Sequence, residues 1–227
     1  ITTMLENGIG ALDVETDGLD NIHDEIAGIC LYTPNENGIY IPVNHISNMT
    51  KMRLKNQVSP KFMSRQLERL VEANLPIIYH NSKFDLKSVF WRLGVKLPEP
   101  EWDTFLAAML LNENEPHNLK KLHSKYVRED EEAEVAKFND LFKGIPFSLI
   151  PPDVAYMYAA YDPIQTYELY EFQKRYLTPG NPECEEYGLE KVAWVMENIE
   201  MPLIQVLFDM ETYGVDLDEE KLAEIRE

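Results

Sequence analysis

The order of its segments predicts an α/β domain with a mixed sheet flanked by helices, followed by a short helical C-terminal segment. Three observations carry that expectation. Short apolar runs at Ile9–Val14, Glu25–Tyr32 and Gly38–Val43 read as strands, and the last two are joined by the hairpin turn Asn35-Glu36-Asn37-Gly38. A helix then separates them from a further apolar strand at Pro76-Ile77-Ile78-Tyr79. After Trp102-Asp103-Thr104 the pattern is mainly helical.

Each element has a local reason. In Ile9-Gly10-Ala11-Leu12-Asp13-Val14 the side chains alternate between two faces, as a strand requires. Ser59-Pro60 opens a helix: Ser59 can cap it, and Pro60 lacks an N–H that the first turn would leave unpaired. Its expected apolar face is Phe62, Leu67, Leu70 and Val71. A second helix should run from about Lys83 to Leu93, with Asn81 or Ser82 as its cap. The breaker cluster Thr178-Pro179-Gly180-Asn181-Pro182 divides the chain into residues 1–180 and 181–227. The second part reads as a long helix, a turn and a second helix start.

At 227 residues and 44% hydrophobic, the chain is long enough for one full domain plus a small appendage. It has no apolar run of the roughly 18 residues that a membrane span needs. Ile1 opens the chain without a basic or apolar leader, and Arg226-Glu227 closes it inside a helix pattern, so a piece of a longer protein is expected. Cys30 and Cys184 lie far apart, as ordinary thiols of a reducing, cytoplasmic compartment do. The net charge of −19 argues against a free-standing duplex-DNA binder, which would carry a basic footprint. The run Glu129-Asp130-Glu131-Glu132-Ala133-Glu134 reads as a solvated face.

Three acidic motifs do not fit packing alone. Asp13 and Glu15, two apart on a strand, point to the same face while Leu12 and Val14 point into the core. Side by side their charges repel unless a cation lies between them, although a strand end turning polar would also explain them. Asn81-Ser82-Lys83-Phe84-Asp85 follows the apolar strand. A cap suits Asn81, whereas Asp85 sits at the edge of the first turn, where the helix dipole explains it less well. Lys83 reads as solvated. Tyr158 and Asp162, four apart, share a face of one helix whose apolar surroundings require Asp162 to have a partner. Tyr156, Tyr161, Tyr167 and Tyr170 read as packing residues. His45 reads as structural, Asp103 as a helix cap, and His80 as a chance polar position.

In this order, Asp13-x-Glu15, Asn81-x-x-x-Asp85 and Tyr158-x-x-x-Asp162 resemble the DEDD 3′–5′ exonucleases. Met157 stands where the histidine subgroup would carry histidine, so the tyrosine subgroup is the match. The resemblance covers nearly the whole chain. Asp13–Leu19, Tyr40–His45, Trp102–Thr104 and Phe147–Ile150 look like the proofreading domain of family A, DNA polymerase I-like enzymes. Glu200-Met201-Pro202-Leu203 through Gly214-Val215-Asp216 looks like the beginning of that family's polymerase domain, in phrasing closest to phage or prophage enzymes.

The resemblance implies a ribonuclease H-like fold and two divalent ions, Mg2+ or Mn2+, in a carboxylate site of the kind such hard cations take. Asp13, Glu15 and Asp162 would hold the first ion, and Asp13 would bridge to a second anchored by Asp85. Tyr158 would position the attacking water. Thr16, Leu19 and Asn81 match positions that contact the terminal nucleotide. The implied partners are a single-stranded or frayed DNA 3′ end and the rest of a polymerase chain in cis, with the fragment itself monomeric. An RNase D-like enzyme acting on RNA and a catalytically silent scaffold remain the alternatives.

Overall fold

The computed structural model describes residues 1–128 and 141–218, together with 221, 222 and 225. The acidic run at 129–134 lies outside the described residues. Chain order begins with a short helix, α1 (Thr2–Asn7), that the strand-first reading missed, and Gly8, left-handed at φ 73, ends it. Strands β1 (Gly10–Thr16), β2 (Ile26–Tyr32) and β3 (Ile39–Pro42) follow. Then come α2 (Pro60–Glu72), β4 (Ile77–Tyr79), α3 (Ser82–Leu93), β5 (Trp102–Asp103), α4 (Thr104–Leu111) and α5 (Leu119–Tyr126). A 3-10 turn at Phe147–Leu149 leads to α6 (Pro152–Ala159) and α7 (Asp162–Tyr176).

The sheet is mixed, in the order β3-β2-β1-β4-β5. β1 pairs antiparallel with β2 and parallel with β4, and β5 extends the parallel side with Ile78 opposite Trp102 and Tyr79 opposite Asp103. β5 is two residues long, too short for an apolar alternation, so sequence pattern did not reveal it. The β1–β2 ladder shifts register between Glu15 and Thr16. Such a bulge bends the strand end, and here it falls directly after the second carboxylate. Gly28, opposite Glu15, has the ring of Tyr40 where a Cβ would stand.

One face of the sheet sends Leu12, Val14, Ile29 and Leu31 into the main core with α2 and α3. The α2 stripe differs in register from expectation. Met63, Leu67 and Leu70 are buried, at the i, i+4, i+7 spacing of one helical face, whereas Phe62 and Val71 lie to its sides and are exposed. The opposite sheet face packs Ala11 and Ile78 on Tyr170 of α7, and Cys30 and Tyr40 on Ala155, Ala159 and Ala160 in and after α6. Tyr167 and Tyr170 are ring-packed as expected, but Tyr156 and Tyr161 are exposed.

Beyond the breaker cluster a short helix, α8 (Pro182–Glu186), precedes one continuous helical run made of α9 (Glu190–Val195), a π turn at Met196–Glu200 and α10 (Met201–Tyr213), which is the long helix that the sequence pattern suggests. Gly188 and Gly214, both at positive φ, punctuate them. α10 returns to the main core through Ile204 and Phe208, and its acids pair with α3 and the chain just beyond it. Lys83 and Lys87 both contact Glu211, and Lys96 Nζ lies 2.9 Å from Asp209. Lys83 is therefore ion-paired rather than merely solvated.

Candidate active site

The carboxylates converge because three elements end at one place. Asp13 and Glu15 leave β1 on the face opposite Leu12 and Val14, as their spacing requires. Asp85, buried in the first turn of α3, accepts the backbone N–H of Val14 through Oδ1 at 2.9 Å, which ties α3 to β1 between the two strand carboxylates. Asp162 is the first residue of α7, and its charge, together with burial, bears on both Asp13 and Glu15.

Tyr158 and Asp162 do not share one helix. α6 ends at Ala159 and α7 begins at Asp162, because Pro163 has no N–H to continue the ladder and its ring collides with the preceding turn. Ala160 and Tyr161 keep right-handed backbone angles, so the break bends the chain rather than separating the two side chains. What joins them is Lys120, at the second residue of α5. Its Nζ lies 3.0 Å from Asp162 Oδ1 and 3.3 Å from the centroid of the Tyr158 ring. Sequence reading missed this lysine. It lies in no acidic motif, and only tertiary folding brings α5 across the site.

Nor did the sequence show how α3 is capped. Asn81 adopts a left-handed conformation at φ 67 and its side chain makes no capping bond. Asp103 does the work from β5. Its Oδ1 accepts the N–H groups of Asn81 and Phe105, and its Oδ2 accepts the N–H and hydroxyl of Ser82. One carboxylate thus starts both α3 and α4. His80 is likewise no chance position, since Nδ1 meets the Thr104 hydroxyl at 2.9 Å and Nε2 the carbonyl of His117 at 3.0 Å. His45 is fully buried between the Tyr40 hydroxyl and the carbonyl of Ile150, a structural role.

The residues matched to nucleotide contacts lie around the cluster's elements. Leu19 is 88% exposed on the loop after β1, and Asn81 is exposed at the start of α3. Thr16 hydrogen-bonds the carbonyl of Gly18 and shapes that loop. Asn21 fastens the loop to α3 through the carbonyl of Phe84 and the Ser88 hydroxyl. On its other side, Asp17 accepts the N–H and hydroxyl of Ser148 and holds the 3-10 turn that precedes α6.

Among the described residues, the carboxylates of the site outnumber the positive charges that face them. Burial, followed by the charge of Asp162, pushes Asp13 up to about 8, with Lys120 pulling the other way. Burial and the charges of Asp13 and Asp162 also raise Glu15, and burial and Asp13 raise Asp85. Glu15 Oε1 is buried without a hydrogen-bond partner. A cation supplied from solution would relieve each of these strains, so the donor set fits a divalent metal. A thiol lies beside these carboxylates. Cys30 stands directly opposite Asp13 in the ladder, and one donor atom each from Asp13, Glu15 and Cys30 lie within 4.8 Å of one another. Burial and the same carboxylates raise the Cys30 thiol, which keeps it protonated beside them.

Asp13 sets a pH dependence whose sign follows from its shift. Between an unfolded value of about 3.9 and the folded value, the folded chain keeps a proton that the unfolded chain has lost. In EDTA, the Asp13 contribution to stability should therefore fall as pH rises from about 4 to about 8. Urea melts across this range should show wild type losing stability relative to Asp13→Asn. Parallel curves for the two proteins would contradict the shift.

The mixed sheet, with carboxylates meeting from its central strand, α3 and α7, defines the class: a ribonuclease H-like exonuclease fold. Solved structures agree on the fold. The POL domain of Pol1 from M. smegmatis, in complex with DNA primer-template and dNTP, has a TM-score of 0.67 at 14% identity, covering 98% of this chain and 32% of that one. Brucella melitensis NrnC with bound Mg2+ has a TM-score of 0.58 at 15% identity, covering 93% of this chain and 90% of that one. The sequence profile of the 3′-5′ exonuclease of DNA polymerase A matches residues 5–177, and the chain belongs to that family. DNA polymerase I of Borreliella burgdorferi is 29% identical over 213 residues, covering 93% of this chain and 21% of that protein. The DNA polymerase of Bacillus phage SP01 is 30% identical over 212 residues, covering 89% of this chain and 21% of that protein. The chain thus spans about a fifth of the length of these curated relatives.

Proposed function

We propose that this chain hydrolyses the 3′-terminal phosphodiester of DNA and releases 5′-mononucleotides, as the proofreading part of a family A DNA polymerase. The observation that carries the reading is the convergence of Asp13, Glu15, Asp85 and Asp162 in a chain of the 3′-5′ exonuclease family. Residues 1–180 would form the exonuclease unit, and 181–227 the beginning of the polymerase domain. The longer relatives support a polymerase partner in cis and an intracellular, cytoplasmic setting.

Asp13, Glu15 and Asp162 would hold one divalent ion, and Asp13 and Asp85 a second, with Mg2+ or Mn2+ the expected metals. When bound, such a pair supplies an activated water and stabilises the charge on the leaving oxygen. Tyr158 would orient that water through its hydroxyl. Burial raises its pKa above the ordinary tyrosine value, so it serves as a hydrogen-bonding group rather than a base. Asp85 can hold its place because one of its oxygens is fixed by the Val14 N–H. Thr16, Leu19 and Asn81 would receive the terminal nucleotide on the loop and helix start beside the cluster.

Digestion of end-labelled single-stranded DNA with magnesium, alongside RNA of matched sequence, tests this reading. DNA should yield 5′-mononucleotides from the 3′ end, and RNA should be cut more slowly. Preference for RNA would favour the processing-nuclease alternative, and no cleavage of either would favour a silent scaffold. Binding of long duplex should be weak, since a chain of net charge −19 cannot follow a phosphate backbone.

A further inference from the structure

We propose that Lys120 is a built-in counter-ion of the carboxylate cluster, holding the metal-free site together and yielding Asp162 when a divalent ion binds. This rests on the metal-site reading above and extends it to a residue that no acidic motif contains. The ammonium sits between Asp162 Oδ1 at 3.0 Å and the face of the Tyr158 ring at 3.3 Å. The Lys120 and Asp162 side chains are only 12% and 15% exposed. A buried ammonium is costly unless it is paired, and here a carboxylate and an aromatic face both receive it.

The backbone that carries Lys120 is fixed, so only its side chain would have to move. Asn118 caps α5 by accepting the N–H of Lys121, and Leu119 and Leu122 pack with Ala108 and Leu169. The four-carbon stem can therefore withdraw its charge without disturbing the helix. Lys120 also offsets the repulsion felt by Asp13 and Glu15, which adds to its grip on Asp162. An incoming divalent ion competes with the ammonium for the same carboxylate oxygens. Two consequences of opposite sign follow. Losing the lysine charge should weaken the metal-free fold, yet strengthen metal binding. A residue with only a packing role would not do both.

The test compares wild type with Lys120→Met, which keeps the stem, and Lys120→Arg, which keeps the charge. Melting curves in EDTA and calorimetric titration with Mn2+ are the readouts. Lys120→Met should melt lower than wild type without metal, bind Mn2+ roughly tenfold more tightly, and show a larger manganese-induced rise in melting temperature. Lys120→Arg should restore the metal-free melting temperature. Equal or weaker Mn2+ binding by a folded Lys120→Met would overturn the inference while leaving the metal site intact. Absence of any manganese response in wild type would overturn the metal reading itself, and this inference with it. Should Lys120→Met fail to fold, the wild-type ammonium can be followed by 15N-lysine NMR as Mg2+ is added. A protected Lys120 Nζ signal that becomes exchange-broadened supports displacement, and an unchanged one overturns it.

Discussion

Asp13→Ala should lower 3′-terminal hydrolysis of single-stranded DNA by about a thousandfold or more at saturating magnesium, a loss of several kcal/mol of transition-state stabilisation. Asp13 is the carboxylate on which the others bear. It shares the β1 face with Glu15, faces Cys30 across the ladder, and feels the charge of Asp162, while its own charge raises Asp85. Removing it would take a ligand from both proposed ions at once. Tyr158→Phe deletes one hydroxyl and leaves every carboxylate in place, so its loss should be smaller. Rates from a single-turnover assay decide the matter. Equal activity of wild type and Asp13→Ala would exclude the proposed mechanism.

Phe208→Ala should destabilise the chain by about 3–5 kcal/mol, the usual cost of emptying an aromatic site in a packed core. Phe208 is 3% exposed, its ring meets that of Phe90 on α3 at 5.5 Å, and Ile204 lies in the same cluster. Denaturant melts should show one cooperative transition shifted as a whole, with a melting temperature lower by roughly 10 °C. A separate early transition with an unchanged second one would mean that the C-terminal segment unfolds by itself. The result bears on function too, because α3 carries Asp85 on one side and receives α10 on the other. Loss of α10 should therefore reach the carboxylate cluster by way of α3.

Much of this was legible in the linear chain, for physical reasons that are local. Strand alternation put Asp13 and Glu15 on one face, because successive side chains must point to opposite sides of a strand. Ser59 and Pro60 announced α2, since a cap and a missing N–H act within one turn, and Ser59 does accept the N–H of Phe62. Asp103 was readable as a cap for the same reason, although its second duty was not. The order and spacing of the three acidic motifs sufficed to suggest the family.

The rest depended on which elements meet, and local chemistry does not encode that. Asp103 caps α3 as well as α4 only because β5 lies beside β4, which places its carboxylate under Asn81 and Ser82. Tyr158 and Asp162 looked like one helical face, yet Pro163 bends the chain between them and Lys120 arrives from α5 to join them. Cys30 has no metal-ligand spacing along the chain, and only the antiparallel register of β1 and β2 sets it opposite Asp13. By itself the sequence determined the strand that carries Asp13 and Glu15, the start of α3 and which acids meet, but neither β5 nor the break between α6 and α7. The tertiary structure decided which charges face one another, because burial and proximity, not spacing, set the energy of a buried charge.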